Sequence, residues 1–255
     1  MRLLVVNPNT SAEMTAAIHG AAELAAGPDV LVETVQATSG PRSIEGAFDE
    51  AVSLPGTLER VLRADPETDA FVFACFSAHL AIDATRELTG KPAVGIAEAA
   101  MAVASLIAHR FSIVTTSPRW EPLLQDAVQK YGYQTRCASV RSSGLSVLDL
   151  HTLPREQVIE TLVEEARRAV REDGAEAIVL GCAGMADLEA RLRESLGAPV
   201  VESVAAGVSM ALSVARLGLG TSKVGAYQPV LPREVEGLPE LFRAVYGGLD
   251  KTPLA

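Results

Sequence analysis

Two cysteines occupy matching positions in the two halves of the chain. Cys75 follows the apolar run 70–74, and Cys182 follows the apolar run 177–181. A thiolate can take a proton from one face of a carbon atom, and a thiol on the opposite face can return one. The pair therefore indicates acid–base chemistry that inverts a stereocentre.

The matched positions distinguish these two thiols from ordinary buried cysteines. A lone cysteine more often serves as a small hydrophobic residue, and we assign that role to Cys137, which has no counterpart in the other half. Cys75 and Cys182 each end a predicted strand shortly before a helix, where backbone N–H groups and the helix dipole lower the pKa of a thiol. We therefore expect two reactive thiols.

An internal repeat extends beyond the cysteines. Segment 2–9 (RLLVVNPN) aligns with segment 110–117 (RFSIVTTS), and the offset is almost the same as that between the two cysteines. Both segments are typical of short buried strands that end in small polar residues. Because the offset stays nearly constant over so much of the chain, it predicts two similar α/β units.

Short apolar runs alternate with longer helical patterns along the chain. Apolar runs without polar alternation are typical of strands covered on both faces, and strands that alternate with helices favour parallel sheets. We predict an α/β fold of two pseudo-symmetric, doubly wound parallel-sheet domains with the active site in the cleft between them. The predicted strands are 3–6, 31–35, 70–74, 93–96, 111–114, 135–140, 177–180 and 200–201, and the predicted helices are 12–26, 50–63, 81–88, 98–107, 121–130, 155–171, 187–196 and 205–217.

The repeat also predicts the domain boundaries. Residues 1–98 plus 209–255 form the predicted domain that carries Cys75, and residues 99–208 form the one that carries Cys182. The tail after residue 218 is rich in Gly and Pro, and we expect it to pack back on the first domain with a short helix at 239–246. The chain would then cross twice between the domains.

The polar residues at the strand ends are the candidate ligands, because doubly wound sheets bind ligands beyond the carboxyl ends of their strands. Asn7, Thr115 and Thr116 offer uncharged donors for substrate carbonyl groups. Asn9 is either a ligand or part of the turn before the first helix. Backbone N–H groups near Cys182 are placed to hold the oxygen of an enolate.

Two further features have alternative interpretations. His79 lies four residues after Cys75. It either starts a helix and lines the pocket or is a partly exposed surface residue, and a nucleophilic thiol would use it as a base. Segment 39–46 (SGPRSIEG) is too irregular for a helix or strand, so it forms either a lid or pocket wall or a plain surface connection.

Composition and charge argue against several classes of function. The chain has 255 residues, of which 48% are hydrophobic and 21% charged, as expected for a globular protein with an adequate core. The net charge of −10 argues against nucleic-acid binding. No apolar run suits a membrane span or a signal peptide. Three cysteines, an odd number in a chain of this length, are typical of reduced thiols and not of a disulfide framework, so we expect a cytoplasmic protein.

No cofactor is expected. The four histidines are scattered without HxH or HExxH spacing, and no CxxC pair is present, so a zinc site is not indicated. Neither GxGxxG nor GxxxxGK[ST] occurs, so nucleotide binding has no motif. The expected partner is a small-molecule substrate, and we expect a homo-oligomer that binds neither nucleic acid nor membrane.

Taken together, these segments resemble the Asp/Glu/hydantoin racemase superfamily, and within it the hydantoin racemase branch. The matching segments are 6–11 (VNPNTS), 40–46 (GPRSIEG), 74–76 (ACF), 114–117 (VTTS) and 180–188 (LGCAGMADL). They span nearly the whole chain, and NPNTS together with LGCAGM is quite specific. The resemblance implies cofactor-independent racemisation of 5-monosubstituted hydantoins, or of the ureido-hydantoin allantoin.

The resemblance also implies roles for individual residues. Cys75 and Cys182 would be the two acid–base residues. The candidate substrate-binding residues lie in or beside the matching segments: Asn7, Ser43, Ile44, Phe76, Ser77, Thr115, Thr116, Ala183 and Gly184.

Other members of the superfamily fit the sequence less well. The residues after Cys182 are Ala-Gly-Met, whereas glutamate and aspartate racemases have Thr-His or Thr-Glu there, and arylmalonate decarboxylases keep only the second cysteine. Cys75-Phe is followed by Ser-Ala-His79 where the family often has Asp or Gly-Asp-Pro, which leaves the substrate open.

Two other hypotheses also remain. The first, from a different class, is a non-catalytic small-molecule binding protein in which the cysteines only pack. The second is an isomerase or lyase of the same superfamily that forms a covalent thiol adduct, such as one that catalyses cis–trans isomerisation of a small dicarboxylate. The latter would require cationic groups, in which the strand-end loops are poor.

Overall fold

The computed structural model describes residues 1–247, which form two parallel four-stranded sheets flanked by helices. The strands are β1 (Arg2–Asn7), β2 (Leu31–Gln36), β3 (Ala70–Phe73), β4 (Ala93–Gly95), β5 (Phe111–Thr115), β6 (Cys137–Ser142), β7 (Ala177–Leu180) and β8 (Val200–Val201). The helices are α1 (Ala12–Ala26), α2 (Ala47–Leu62), α3 (Leu80–Leu88), α4 (Ile96–Ile107), α5 (Trp120–Lys130), α6 (Asp149–Thr152), α7 (Arg155–Asp173), α8 (Glu189–Leu196), α9 (Ser203–Arg216) and α10 (Glu240–Tyr246). None of these helices combines the length and apolar character that crossing a membrane requires.

The two sheets share one topology. Their strand orders are β2–β1–β3–β4 and β6–β5–β7–β8, and every neighbouring pair is parallel. Each strand of the first sheet therefore has a counterpart at the same place in the second. The predicted α/β fold with two pseudo-symmetric parallel sheets is confirmed.

The central strands are buried on both faces, as their uninterrupted apolar runs predict. Successive side chains of a strand point to opposite faces. In β1, Leu3 and Val5 join an apolar cluster with α1 and α9, while Leu4 and Val6 join a second cluster with α2 and α3. Helices thus cover both faces of the first sheet, which is the doubly wound arrangement.

The larger apolar cluster continues from the first sheet into the second. The helix α4 contacts α9 on one side and β7 on the other. Its buried residues Met101 and Ala104 belong to the same cluster as Val5 of β1 and Ile113 of β5. The two sheets are therefore joined by a common core.

Several elements begin at residues other than those predicted, and local hydrogen bonds explain two of these starts. The helix α2 begins before residue 50 because the Asp49 carboxylate accepts a hydrogen bond from the Glu45 N–H at 2.9 Å and orders the first turn. The strand β6 begins after residue 135 because Arg136 N–H donates to the Tyr133 carbonyl at 2.8 Å, which closes a turn. Both differences arise from local hydrogen bonds and not from apolar pattern.

The tail after α9 lies against helices that flank the first sheet. Thr221 N–H donates to the Gly90 carbonyl at 2.8 Å, and the Lys223 ammonium donates to the Arg86 carbonyl. Val245 of α10 packs near α2 and α3. Residues 248–255 of the predicted first domain lie outside the described residues, and the boundaries near residues 98 and 208 stay a prediction.

Two helical glycines test how tightly α9 packs. A Cβ at Gly207 would lie 2.9 Å from Ile96 Cγ2 and 3.2 Å from Val72 Cγ1, whereas a Cβ at Gly20 of α1 would meet no atom within 4 Å. We expect Gly207→Ala to lower the free energy of unfolding by about 1–3 kcal/mol through overpacking. The control Gly20→Ala should raise it by about 0.5–1 kcal/mol. Urea titration measures both, and equal effects would contradict the close packing of α9.

Candidate functional site

The carboxyl ends of the central strands of both sheets meet at one pocket. A concave site lined by apolar side chains with a few polar groups is typical of small-ligand binding. Both Cys75 and Cys182 line it. The other lining residues are Asn7, Pro8, Asn9, Met14, Ile44, Ala74, Phe76, Thr116, Trp120, Val147, Gly181 and Ala183.

Cys75 is positioned by the pairing of the two central strands of the first sheet. Ala74 N–H donates to the Val6 carbonyl at 2.9 Å, which continues the β1–β3 ladder to the residue before the cysteine. Ser77 N–H then donates to the Cys75 carbonyl at 2.9 Å and turns the chain toward α3. The Cys75 side chain is half-buried and opens into the pocket.

Cys182 is positioned in the same way in the second sheet. Gly181 N–H donates to the Val114 carbonyl at 2.8 Å, and the Thr115 hydroxyl donates to the Gly181 carbonyl at 3.1 Å. Cys182 precedes a 3₁₀ helix at Ala183–Leu188, and the backbone N–H of Gly184 favours the thiolate form of the cysteine. The two cysteines thus occupy equivalent strand ends in equivalent sheets.

The expected low pKa of these thiols is wrong for the free protein. Burial raises the pKa of Cys182 to about 11 and that of Cys75 further, and the nearby Glu50 carboxylate adds to the rise at Cys75. The helix after Cys75 begins only at Leu80, where the His79 ring accepts the Ala81 N–H at 3.2 Å. The helix start is therefore separated from Cys75 in the chain and already capped by His79, and desolvation of the thiol dominates.

Asn7 and Asn9 hold the turn between β1 and α1 and also line the pocket. The Asn7 amide donates to Asn9 Oδ1 at 2.9 Å and to Thr15 Oγ1 at 3.0 Å. Asn9 Oδ1 also accepts the Ser11 N–H at 2.9 Å, and Ser11 caps α1. Both asparagines are buried. Each of them stabilises the turn and also lines the pocket.

The predicted ligand residues fall into two groups. Asn7, Ile44, Phe76, Thr116 and Ala183 line the pocket. Those that do not line it contact residues beside it: Ser77 and Gly184 contact the two thiols, Thr115 holds the Gly181 carbonyl, and Ser43 hydrogen-bonds Glu45.

Several pocket residues were not predicted from the sequence. Met14, Trp120 and Val147 are apolar, whereas the sequence predicts ligands only among polar strand-end residues and the matching segments. Trp120 begins α5 just after β5, and Val147 follows β6, so both lie near carboxyl ends of strands. Extending the strand-end rule to apolar residues would have found them.

Segment 39–46 forms a pocket wall and not a plain surface connection. Ile44 is buried and lines the pocket, and the Thr10 N–H donates to the Pro41 carbonyl at 2.9 Å. The Glu45 carboxylate accepts the Val147 N–H at 3.2 Å. This contact ties the wall to the half of the chain that carries Cys182.

His79 is fully buried, so its interpretation as a partly exposed residue is wrong. His79 starts α3, as one of the two interpretations predicts, but it is not among the residues that line the pocket. Its Nε2 lies 3.0 Å from Ser53 Oγ of α2. The ring therefore joins α2 to α3. Because both of its nitrogens are hydrogen-bonded, to Ser53 and to the Ala81 N–H, it is not placed as the base of a nucleophilic thiol.

Comparisons with known proteins agree with this arrangement. The family model described as Asp/Glu/Hydantoin racemase matches residues 3–211. A hydantoin racemase of Pseudomonas sp. (strain NS671) is 44% identical over 243 residues, covering 95% of this chain and 97% of that protein. A hydantoin racemase of Paenarthrobacter aurescens is 41% identical, covering 89% of this chain and 97% of that protein.

A solved structure gives the same result for the fold. The crystal structure of allantoin racemase from Pseudomonas fluorescens superimposes with a TM-score of 0.89 at 39% sequence identity. The match covers 93% of this chain and 100% of that one. The likeness therefore extends over both sheets and the pocket between them.

The buried ring of His79 predicts a loss of stability in acid. Burial lowers its pKa from 6.5 to about 4, so between these pH values the unfolded chain binds a proton that the folded protein does not. The free energy of unfolding therefore falls by about 3 kcal/mol as the pH falls from about 6.5 to 4.

Substitution of this histidine tests the prediction. His79→Asn keeps a side-chain acceptor for the helix cap, and it should reduce this loss of stability, measured by urea unfolding at pH 7 and pH 4.5. The same change at the exposed His109 should not reduce it, and an unaltered acid loss in His79→Asn would contradict the assignment.

Proposed function

Because the chain belongs to the Asp/Glu/hydantoin racemase family and is a racemase, we propose that it racemises 5-monosubstituted hydantoins with Cys75 and Cys182 as its two acid–base residues. The observation that carries this proposal is that the two matched strand ends place both thiols in the wall of one small pocket. A single thiol could exchange a proton on one face of the substrate, whereas inversion requires a donor on the other face.

The proposed reaction moves one proton in and one proton out. A thiolate at one cysteine removes the hydrogen from ring carbon C5, and the electron pair of the broken C–H bond passes to the adjacent carbonyl to give an enolate. The thiol of the other cysteine then protonates C5 on the opposite face and becomes a thiolate. No redox or group transfer is involved, so the thiol pair suffices for the proton balance.

The lining of the pocket fits a cyclic amide with an apolar substituent. Asn9 and Thr116 supply polar groups for the amide edge of the ring. Apolar side chains of Ile44, Phe76 and Trp120 form a surface for the 5-substituent. No Lys or Arg is among the residues described as lining the pocket, which argues against the covalent isomerase or lyase acting on a dicarboxylate.

Allantoin is the second candidate substrate. The likeness to the allantoin racemase of Pseudomonas fluorescens favours it. Its ureido group would need polar partners where this pocket presents Ile44, Phe76 and Trp120, so the pocket itself favours an apolar 5-substituent. Polarimetry with benzyl-, isopropyl- and ureido-substituted hydantoins distinguishes the two, and fastest racemisation of allantoin would contradict the first choice.

Two other expectations belong to this proposal. We propose a cytoplasmic location, supported by three free cysteines in the described part of the chain. The homo-oligomeric state stays a prediction, which sedimentation analysis of the purified protein would test.

Substitution of either cysteine tests the two-thiol mechanism. We expect Cys75→Ser and Cys182→Ser each to reduce racemisation of both enantiomers by about 10²–10⁴-fold, because a hydroxyl is a poor base. In D₂O each variant should retain slow hydrogen exchange for the one enantiomer whose C5 hydrogen faces the remaining thiol. Polarimetry and NMR measure the two rates. Cys137→Ser is the control and should keep wild-type rates, and wild-type racemisation by either active-site variant would rule out the mechanism.

The raised thiol pKa values predict a steep dependence of activity on pH. With the pKa of Cys182 at about 11 and that of Cys75 higher, the form with one thiolate is scarce at neutral pH. Because that form grows as pH rises, kcat/KM should increase about tenfold per pH unit between pH 6 and 8. Initial rates measured with one hydantoin enantiomer check this, and a flat profile over the range would contradict a base with so high a pKa.

A further inference from the structure

The two thiols have different polar partners although the fold is pseudo-symmetric. On one side, Ser77 Oγ lies 3.6 Å from Cys75 Sγ and 3.0 Å from Glu50 Oε1. On the other side, Gly184 lies against the Cys182 sulfur, and its backbone N–H favours the thiolate form. One thiol is therefore linked to a carboxylate, and the other to a hydrogen-bond donor.

Ser77 has a single proton to share between the sulfur and the carboxylate. A hydroxyl offers one O–H donor and two acceptor lone pairs. A carboxylate is the stronger acceptor, so the Ser77 O–H that could donate to the Cys75 sulfur is drawn to Glu50 instead, and the sulfur loses a donor that would stabilise its thiolate. The hydrogen bond from Ser77 to Glu50 thus favours the neutral thiol at Cys75, whereas the Gly184 N–H favours the thiolate at Cys182.

Glu50 is held in place by its neighbours on α2. It lies in the first turn of this helix, and the Ser53 hydroxyl donates to its backbone carbonyl at 2.8 Å. Ser53 in turn contacts the buried His79 ring. Burial raises the pKa of Glu50, and the hydrogen bond from Ser77 opposes that rise. The carboxylate is thus fixed where it faces Ser77.

We propose that Glu50 is a positioning residue that acts through Ser77 to keep Cys75 as a neutral thiol in the free enzyme, which leaves Cys182 as the base. The inference rests on the proposed two-thiol racemisation. The proton from C5 forms a new S–H bond at Cys182, and the S–H bond of Cys75 breaks to form the new C–H bond. The enzyme then carries its thiolate at Cys75, and proton exchange with water restores the starting form.

Other charged and titratable groups face this network. Lys130 of α5 attracts the Glu50 carboxylate, but its ammonium pairs with Asp83 at 2.8 Å. Tyr131 also faces Glu50. On the other side Glu45 faces Cys182 and opposes the effect of the Gly184 N–H. The pKa of Cys75 stays above that of Cys182 chiefly because burial raises it further, and the Glu50 charge adds to that rise.

Alkylation of single thiols tests the proposal without turnover. In a Cys137→Ser, Cys182→Ser background, iodoacetamide reports on Cys75 alone, and in a Cys75→Ser, Cys137→Ser background it reports on Cys182 alone. Glu50→Gln removes the negative charge, and its amide can donate to Ser77 so that the Ser77 O–H turns toward the sulfur. We expect Cys75 to react about tenfold faster at pH 8 in this variant, with its pH midpoint shifted downward.

Three comparisons complete the experiment. The Cys182 profile should stay within about twofold of its parent in Glu50→Gln, which also shows that the pocket is folded. Glu59→Gln on the same helix is the matched control and should change neither profile. With Ser77→Ala in the background, Glu50→Gln should shift the Cys75 profile much less, because the connecting hydroxyl is absent.

The outcomes separate this inference from the proposed function. An unshifted Cys75 profile in Glu50→Gln overturns the role of Glu50, even if the wild-type protein racemises hydantoins. A full shift that persists without the Ser77 hydroxyl overturns the action through Ser77. If the profiles shift as expected but no hydantoin is racemised, the proposed substrate fails while the link between Glu50 and Cys75 stands.

Discussion

The proposed function of this protein depends on two strands, β3 and β7, ending at the same pocket. Equivalent backbone hydrogen bonds fix both ends, from Ala74 to Val6 at 2.9 Å and from Gly181 to Val114 at 2.8 Å. Each bond holds the residue directly before a cysteine. Because apolar side chains pack both strands into a shared core, the two thiols cannot move relative to each other without disturbing that core.

Burial of the thiols has opposing effects on the proposed chemistry. A thiolate with a raised pKa is a stronger base toward a C–H bond, and a pocket wall such as Phe76 and Trp120 keeps water from solvating it. The same desolvation makes the thiolate rare at neutral pH. A substrate whose C5 hydrogen is acidified by a neighbouring carbonyl is suited to such a site, because the charge that forms is delocalised onto oxygen.

The sequence predicted the strands better than the complete site, for physical reasons. Burial on both faces leaves an apolar run that is visible without knowledge of the partners, so β3 and β7 were identified along with their cysteines. Glu50 lies on α2 and reaches Cys75 only through tertiary packing and Ser77, so no local pattern reveals it. The direction of the thiol pKa shift was wrong because strand-end position does not report how little water reaches the sulfur.

Pseudo-symmetry by itself would leave the two thiols equivalent, and equivalent neighbouring thiols share one negative charge between them. Repulsion between two close thiolates means that the pair titrates as a unit, as the influence of Cys182 on Cys75 already indicates. Small differences in the surroundings then decide where the charge resides. In the proposed mechanism, Glu50 on one side and the Gly184 N–H on the other break the equivalence, so that a nearly symmetric fold gives the free enzyme a defined acid and a defined base.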